Sequence, residues 1–268
     1  MTIKRFLRSL KSFSRIKEIL ICMQLSGDGM RQTLAYLQLI KLHYPYVFTT
    51  PGGHKVMLND WADLTTAWVV YWGAEYRLHE KDKVIIDAGA NIGLFSLFAK
   101  EHAPGSTIYA IEPFPANYER LKKCIAENTL NESVNSLNCA LSSVDGELHM
   151  DASAEIPGHS RQIVEHNQAA NLSSQVITVP ALSLGRILAQ HNIEKVDFLK
   201  IDIEGGEYDL LLNTETAVLK KCSRIGLEYH GNGDTNLIFD RLISIGFRLT
   251  YHPKRGSAGV VEFTQYGG

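Results

Sequence analysis

Two periodicities of hydrophobic and polar positions divide the chain near residue 80. Short apolar runs bounded by turn residues predict buried strands, and apolar residues at three- and four-residue spacing predict helices. After residue 80 the predicted strands are residues 84–86, 107–111, 134–140, 196–201, 224–229, 247–251 and 259–263, and the predicted helices are residues 94–102, 115–128 and 235–245. Strands that alternate with helices are typical of an α/β protein with a mostly parallel sheet and helices on both faces.

The first 80 residues are organised differently. Residues 1–44 have a helical pattern with a glycine-rich break at residues 26–29, residues 46–59 read as a hairpin, and residues 62–80 form an aromatic helical segment. We therefore predict two domains, a helical and hairpin extension over residues 1–80 and an α/β domain over residues 81–268. Within the second, residues 148–176 are polar and without clear periodicity, which is typical of a lid or a disordered loop.

The first twenty residues combine basic and apolar side chains at helical spacing. Six Lys and Arg residues stand against Glu18 alone in this segment. A basic amphipathic helix of this kind can bind an anionic membrane surface, and the alternative is a solvated helix that packs on the domain body. The longest apolar run, residues 67–72, is far shorter than the ~20 residues that cross a bilayer. We expect a cytoplasmic protein, because four widely spaced cysteines are typical of a reducing compartment, and residues 1–20 are its candidate for peripheral membrane contact.

Composition and charge exclude several classes of protein. With 45% hydrophobic and 21% charged residues the chain has ordinary globular composition, which excludes a disordered protein. A net charge of -2 argues against a nucleic-acid partner, because phosphate neutralisation needs clustered Lys and Arg. The four cysteines lie far apart, so we expect neither a disulfide framework nor a structural zinc site.

The first strand of the α/β domain ends in a glycine turn that suits a nucleotide-like ligand. Gly89 permits a tight turn and lets the loop backbone approach a ligand closely. The spacing Gly89-x-Asn91-x-Gly93 differs from the dinucleotide fingerprint, and Asp87 stands just before the turn. A carboxylate there would repel a pyrophosphate and attract a ligand that carries an amino group. The turn therefore disfavours an NAD-dependent oxidoreductase, which we keep as an alternative.

Further acidic residues follow the next strands. Glu112 ends the second strand at the distance from the turn where a parallel unit places an acid on ribose hydroxyls, and a solvated strand-end Glu is the alternative. Asp202, Glu204 and Glu207 follow the fourth strand, where the position of Glu207 favours a helix cap. His230 follows the fifth strand and is the best general-base candidate, because a neutral imidazole is available at physiological pH.

Four segments together resemble the FkbM-type methyltransferases, which use S-adenosylmethionine. They are VIIDAGANIGLFSLFA, AIEPFPANYERL, NCALSSVDGEL and VDFLKIDIEGGEYDLL, and the resemblance covers about residues 64–263. It implies the class I methyltransferase fold, a Rossmann-like seven-stranded sheet that ends in an antiparallel hairpin, and methyl transfer to a hydroxyl oxygen. The residues that it implies for cofactor binding are Asp87, Gly89, Asn91, Gly93 and Glu112, with Asn138 and Ala140 beside the adenine. Acceptors in the family are mostly glycans and secondary metabolites.

We therefore predict an S-adenosylmethionine-dependent O-methyltransferase whose catalytic residues are His230, Asp202 and Glu204. In this hypothesis His230 accepts the hydroxyl proton, while Asp202 and Glu204 fix the acceptor or a divalent cation. Alternatively, a divalent cation that acidifies the hydroxyl could be held by Asp202, Glu204, Glu228 and His230. Oxygen-rich groups suit magnesium, although the spacing does not require a metal. A nucleic-acid methyltransferase and a non-catalytic cofactor-binding domain are weaker alternatives. The acceptor and the oligomeric state stay open.

Overall fold

The structure, a computed structural model, describes residues 13–73, 75–151, 176–230, 233–252 and 259–266. Contacts between residues divide the chain into two units, residues 1–75 and 76–268. The sequence placed this boundary at residue 80. Most of the predicted basic helix (residues 1–12) and most of the predicted polar loop (residues 152–175) lie outside the described residues.

The described part of the first unit consists of helices and a short hairpin. Its elements are α1 (Phe13–Leu25), α2 (Gly29–Tyr36), β1 (Tyr46–Thr49), β2 (Lys55–Leu58) and α3 (Trp61–Tyr71), with β1 and β2 paired antiparallel. The predicted hairpin is therefore present. Among the described residues, none of the helices combines the length and the apolar character that crossing a membrane requires.

Two predicted helices of this unit were too long. Helix α2 ends at Tyr36, and Gln38 just after its C-cap has a left-handed φ of 57°, which stops the helix. Helix α3 ends at Tyr71 rather than at residue 80, and Gly73 follows its C-cap. A Cβ on Gly73 would lie 2.6 Å from the carbonyl oxygen of Val69, so this close return of the chain requires glycine. The aromatic pattern predicted a longer helix, because aromatic residues continue beyond Tyr71 and do not indicate where the helix ends.

The buried indole of Trp68 contacts both of the other described helices of the first unit. Its ring stacks on Tyr36 at a centroid distance of 4.1 Å. Its Nε1 donates a hydrogen bond to Glu18 Oε2 at 2.9 Å. The single acidic residue of the first twenty is therefore bound to α3 within this unit.

The second unit is built on a seven-stranded sheet and a smaller three-stranded sheet. Its strands are β3 (Val84–Ala88), β4 (Thr107–Ile111), β5 (Val134–Leu137), β6 (Ala140–Ser142), β7 (Gly146–Asp151), β8 (Val176–Ser183), β9 (Phe198–Ile201), β10 (Arg224–Tyr229), β11 (Phe247–Tyr251) and β12 (Gly259–Gln265). The larger sheet has the order β11-β12-β10-β9-β3-β4-β5. Neighbours from β10 to β5 are parallel, and β12 runs antiparallel to β10 and β11. The predicted mostly parallel sheet with a terminal antiparallel hairpin is confirmed.

Helices cover the large sheet, and β9 at its centre is buried along its whole length. The helices are α4 (Leu94–His102), α5 (Pro115–Glu127), α6 (Leu184–Gln190), α7 (Glu207–Asn213), α8 (Thr216–Leu219) and α9 (Thr235–Ser244). Leu199 and Ile201 of β9 join the core cluster that includes apolar residues of α6, α7 and α9. Phe198, which points to the opposite face, packs on Phe95 of α4. A central parallel strand covered on both faces has the near-continuous apolar sequence that predicted it.

The smaller sheet, of order β6-β8-β7, was not predicted. The strand predicted over residues 134–140 is two strands, because Asn138 interrupts it and its side chain bonds backbone carbonyls of another loop. Strand β7 pairs antiparallel with β8, from Gly146 opposite Ala181 to Asp151 opposite Val176. The start of the supposed polar loop is therefore a strand, and its partner is too distant in sequence for local periodicity to indicate.

Candidate cofactor and catalytic site

The turn after β3 is held in left-handed backbone conformations. Gly89, Asn91 and Gly93 have φ values of 78°, 50° and 95°. A Cβ on Gly89 would lie 1.7 Å from the backbone oxygen of Asp202, so this position requires glycine for space as well as for conformation. The sequence predicted that the Gly89 backbone approaches a ligand closely. In the structure the backbone that comes this close to Gly89 is that of Asp202, just after β9. Gly93 is the N-cap of α4.

Glu112 binds this turn from the end of β4. Its buried carboxylate accepts a hydrogen bond from the Asn91 N–H at 2.8 Å and another from the Phe114 N–H at 2.9 Å. A carboxylate has about four lone-pair sites, so hydroxyl groups are chemically compatible further partners. The Asn138 side chain donates to the backbone oxygens of Glu112 at 2.9 Å and Pro113 at 3.1 Å. Three of the predicted cofactor residues therefore belong to one hydrogen-bonded group.

Asp87 lies beneath the turn and has no exposed surface. One carboxylate oxygen accepts the Ser96 hydroxyl at 2.7 Å, and the other lies 3.1 Å from the Lys200 ammonium. The same ammonium lies 3.5 Å from an oxygen of Asp202 and donates to the Gly89 carbonyl at 2.8 Å. Asp87 therefore faces the protein interior, which differs from the predicted contact with a ligand's amino group.

Lys200 is a site residue that the sequence analysis missed. Burial opposes the charged form of its side chain, but the neighbouring carboxylates of Asp87 and Asp202 raise its pKa above the ordinary value. The lysine is thus a permanent cation between two strand ends. A charged residue inside an otherwise apolar buried strand was the signal that could have identified it.

His230 lies among carboxylates from two strand ends. Its Nδ1 is 2.8 Å from Glu207 Oε1, and its Nε2 is 3.4 Å from Glu204 Oε2. Glu207 is fully buried, and its other oxygen accepts the Gly205 N–H at 2.7 Å. Glu207 was predicted to act as a helix cap. Its side chain also bonds both the Gly205 N–H in the turn after β9 and His230 at the end of β10.

The same contacts decide the charge of the imidazole. The hydrogen bond with Glu207, opposed by burial and reinforced by Glu204 and Glu228, raises the pKa of His230 to about 9. His230 is therefore an imidazolium at pH 7. The premise that a neutral imidazole is available at physiological pH is corrected, since the proton must leave before this side chain can act as a base.

Three side chains at this edge lie close enough together to hold a metal ion. Asp202, Glu228 and His230 offer ligand atoms that all lie within 4.8 Å of one another. The side chains of Asp202 and His230 are 27% and 25% exposed. Carboxylate oxygens and an imidazole suit several divalent cations. Glu204, which the sequence placed in a candidate cation site, lies outside this group in the described part of the chain.

Most of the predicted site residues lie at one edge of the large sheet. The glycine turn, Glu112, Asp202 and His230 follow the carboxyl ends of β3, β4, β9 and β10, which are neighbours in the sheet. Ala140, by contrast, begins β6 of the smaller sheet and is buried. Ligands of open parallel sheets bind outside the carboxyl ends of the strands. Cofactor contacts by these residues stay predictions, and their common location is consistent with them.

The chain is similar in sequence to known methyltransferases. The chain is 32% identical over 151 residues to the methyltransferase sdnD of Sordaria araneosa, covering 47% of this chain and 58% of that protein. It is 27% identical over 172 residues to the 31-O-demethyl-FK506 methyltransferase FkbM of Streptomyces tacrolimicus, covering 55% of this chain and 65% of that protein. The chain thus spans less than two thirds of the length of either relative.

A solved structure shares the fold. The methyltransferase FkbM from Methylobacillus flagellatus KT superposes with a TM-score of 0.50 and 14% identity, covering 96% of this chain and 60% of that one. The family match is more specific, because the methyltransferase FkbM domain matches residues 87–251, from the acid before the glycine turn to the end of β11. That match takes in more than half of the sequence, and the chain belongs to the FkbM methyltransferase family.

Proposed function

We propose that this protein transfers the methyl group of S-adenosylmethionine to a hydroxyl oxygen of a glycan or a secondary metabolite. The observation that carries the proposal is the bonding of Glu112 to the Asn91 N–H of the glycine turn, across the ends of two neighbouring strands. This arrangement, in a chain of a methyltransferase family, suits the ribose of a nucleoside-containing cofactor. The name of the Streptomyces relative supports an oxygen acceptor, because it refers to a 31-O position.

The charges of this edge fit the methionine end of the cofactor, where an ammonium and a sulfonium outnumber one carboxylate. Asp202 presents a partly exposed carboxylate one strand away from the glycine turn. Lys200 compensates the buried Asp87, so the carboxylates of this group outnumber its ammonium by one. A cationic ligand group is favoured there over a pyrophosphate. This balance also disfavours the NAD-dependent alternative.

S-adenosylmethionine supplies an activated methyl group, so the protein's main task is alignment. Holding the two reactants in line can lower the activation barrier by up to ~7–11 kcal/mol. Asp202 and Glu204 have partly exposed side chains and can accept hydrogen bonds from acceptor hydroxyls. These two residues would therefore orient the acceptor toward the cofactor side of the crevice.

Two groups fit the role of proton acceptor from the reacting hydroxyl. In this scheme a carboxylate oxygen of Asp202 or Glu204 lies beside the methyl acceptor and can accept its hydroxyl proton. His230 can accept a proton only from its neutral form, which is the minor form below a pKa of about 9. The pH dependence of methyl transfer therefore shows whether a carboxylate or His230 accepts the hydroxyl proton. A cation bound by Asp202, Glu228 and His230 is a third arrangement, supported by the proximity of their ligand atoms.

Ligand binding and label transfer test this function. We expect calorimetry to detect binding of S-adenosylmethionine and S-adenosylhomocysteine, with NADH as the control ligand that does not bind. Label from methyl-labelled cofactor should then pass to hydroxyl-bearing acceptors in a panel of glycans and polyketide products. Tight NADH binding, or no binding of either sulfur cofactor by the folded protein, would contradict the proposal.

A further inference from the structure

Lys200 occupies a position that would ordinarily be apolar. It lies in β9, where the other three residues, Phe198, Leu199 and Ile201, are fully buried, and Lys200 itself is 3% exposed. A buried ammonium is costly unless carboxylates and hydrogen-bond acceptors surround it. The surroundings of this side chain therefore indicate what it contributes.

The ammonium group is bound from two strand ends at once. From β3 and its turn it meets the carboxylate of Asp87 at 3.1 Å and the carbonyl oxygens of Ala88 at 3.4 Å and Gly89 at 2.8 Å. From its own strand end it meets the carboxylate of Asp202 at 3.5 Å. A lysine has three N–H donors, so it can link both strands.

Hydrogen bonds hold Gly89, the first residue of the glycine turn, at both its N–H and its carbonyl. The Gly89 N–H donates to the Ile111 carbonyl at 3.0 Å, and the Gly89 carbonyl accepts from Lys200. Glycine has unusual backbone freedom, so these bonds restrict a residue that would otherwise sample several conformations. Because Lys200 also contacts Asp202, the turn and the end of β9 are held in one arrangement.

We propose that Lys200 is a positioning residue that holds the glycine turn in its cofactor-binding conformation and orients Asp202 beside it. The proposal rests on the proposed function, since it takes the turn to be the cofactor site. Lys200 acts through Gly89 and Asp202 and has little exposed surface for a ligand. Its loss should therefore weaken cofactor binding without removing any group that touches the cofactor.

The test compares Lys200→Met with Lys100→Met in the 268-residue chain. Lys100 is a matched control because it is also buried and also donates to backbone carbonyls, those of Pro104 and Ser106, away from the glycine turn. We expect Lys200→Met to raise the Kd for S-adenosylhomocysteine by about tenfold or more, the loss expected for a charge-assisted hydrogen bond. We expect Lys100→Met to lower Tm and leave that Kd within about twofold, since the Lys100 ammonium bonds the carbonyls of Pro104 and Ser106 rather than the turn.

Kinetics add a readout that a purely structural role would not change. Lys200→Met should raise KM for the cofactor more than KM for the acceptor, because its effect passes through the turn. If folded Lys200→Met binds S-adenosylhomocysteine within about twofold of wild type, the proposal is overturned. Failure of the wild type itself to bind would instead overturn the proposed function.

A second variant covers the case in which Lys200→Met does not fold. Removing the buried cation leaves Asp87 uncompensated, which is strongly destabilising. The double variant Asp87→Asn/Lys200→Met removes both charges and still leaves the Gly89 carbonyl without its ammonium. We expect it to fold and to show the same loss of affinity. Normal affinity in the double variant, or failure of both variants to fold, assigns Lys200 to stability alone and overturns the proposal.

Discussion

Replacing Glu112 by Gln tests the ribose contact while preserving the size of the side chain. In the wild type the two carboxylate oxygens accept the N–H groups of Asn91 and Phe114. A glutamine offers one acceptor oxygen, so one of these N–H groups would face an NH₂ donor. The charge that strengthens any hydroxyl bond would be lost as well.

The expected loss of affinity follows from these bonds. A hydrogen bond to a charged group contributes about 1.5–3 kcal/mol, and losing one weakens binding by roughly ten- to a hundredfold. We therefore expect Glu112→Gln to raise the Kd of S-adenosylhomocysteine by that factor in calorimetry. Glu132→Gln is the matched control, because Glu132 is exposed and lies in the loop before β5. It should bind like the wild type.

A deoxyribose form of the ligand separates a direct ribose contact from a disturbed turn. If Glu112 binds the ribose, removing a ribose hydroxyl should weaken binding to the wild type and change binding to Glu112→Gln much less. If removing the hydroxyl weakens binding equally in both proteins, Glu112 does not contact the ribose and only supports the turn. Unchanged affinity of folded Glu112→Gln for the intact ligand would refute the reasoning altogether.

Three further predictions concern catalysis, metal and membrane. If neutral His230 is the base, the single-turnover rate should rise as pH increases toward 9, because deprotonation creates the reactive form. In that case His230→Ala should lose ~10²–10⁴-fold in rate and the pH-dependent rise, whereas a rate within a few-fold of wild type assigns the proton to a carboxylate. If Asp202, Glu228 and His230 hold a divalent cation, chelation should abolish transfer and magnesium should restore it; indifference to chelation argues for direct acceptor contacts. If residues 1–20 bind membranes, the protein should sediment with anionic vesicles at low salt and be released at high salt. Leu20→Glu, on an exposed part of α1, should abolish sedimentation, and absence of wild-type sedimentation would favour the packed-helix alternative.

The sequence by itself determined the elements that depend on local periodicity. Helix α4 and strand β4 lie where the pattern put them, because apolar spacing and turn residues report on structure within one element. The glycine turn after β3 was also predictable, since Gly89 and Gly93 supply the positive φ values that such a turn needs. The order of strands and helices was enough to indicate a mostly parallel sheet, and hence the edge where strand-end acids meet.

Only the tertiary structure decided what those acids do. Lys200 bonds the carbonyl of Gly89, 111 residues away, and turns Asp87 into the partner of a buried cation. Glu207 reaches His230 across 23 residues and raises its pKa, so the proposed base is charged at neutral pH. The β7–β8 pair escaped prediction for the same reason. Periodicity records which face of an element is buried, whereas ion pairs, pKa values and long-range strand pairing depend on atoms that folding brings together.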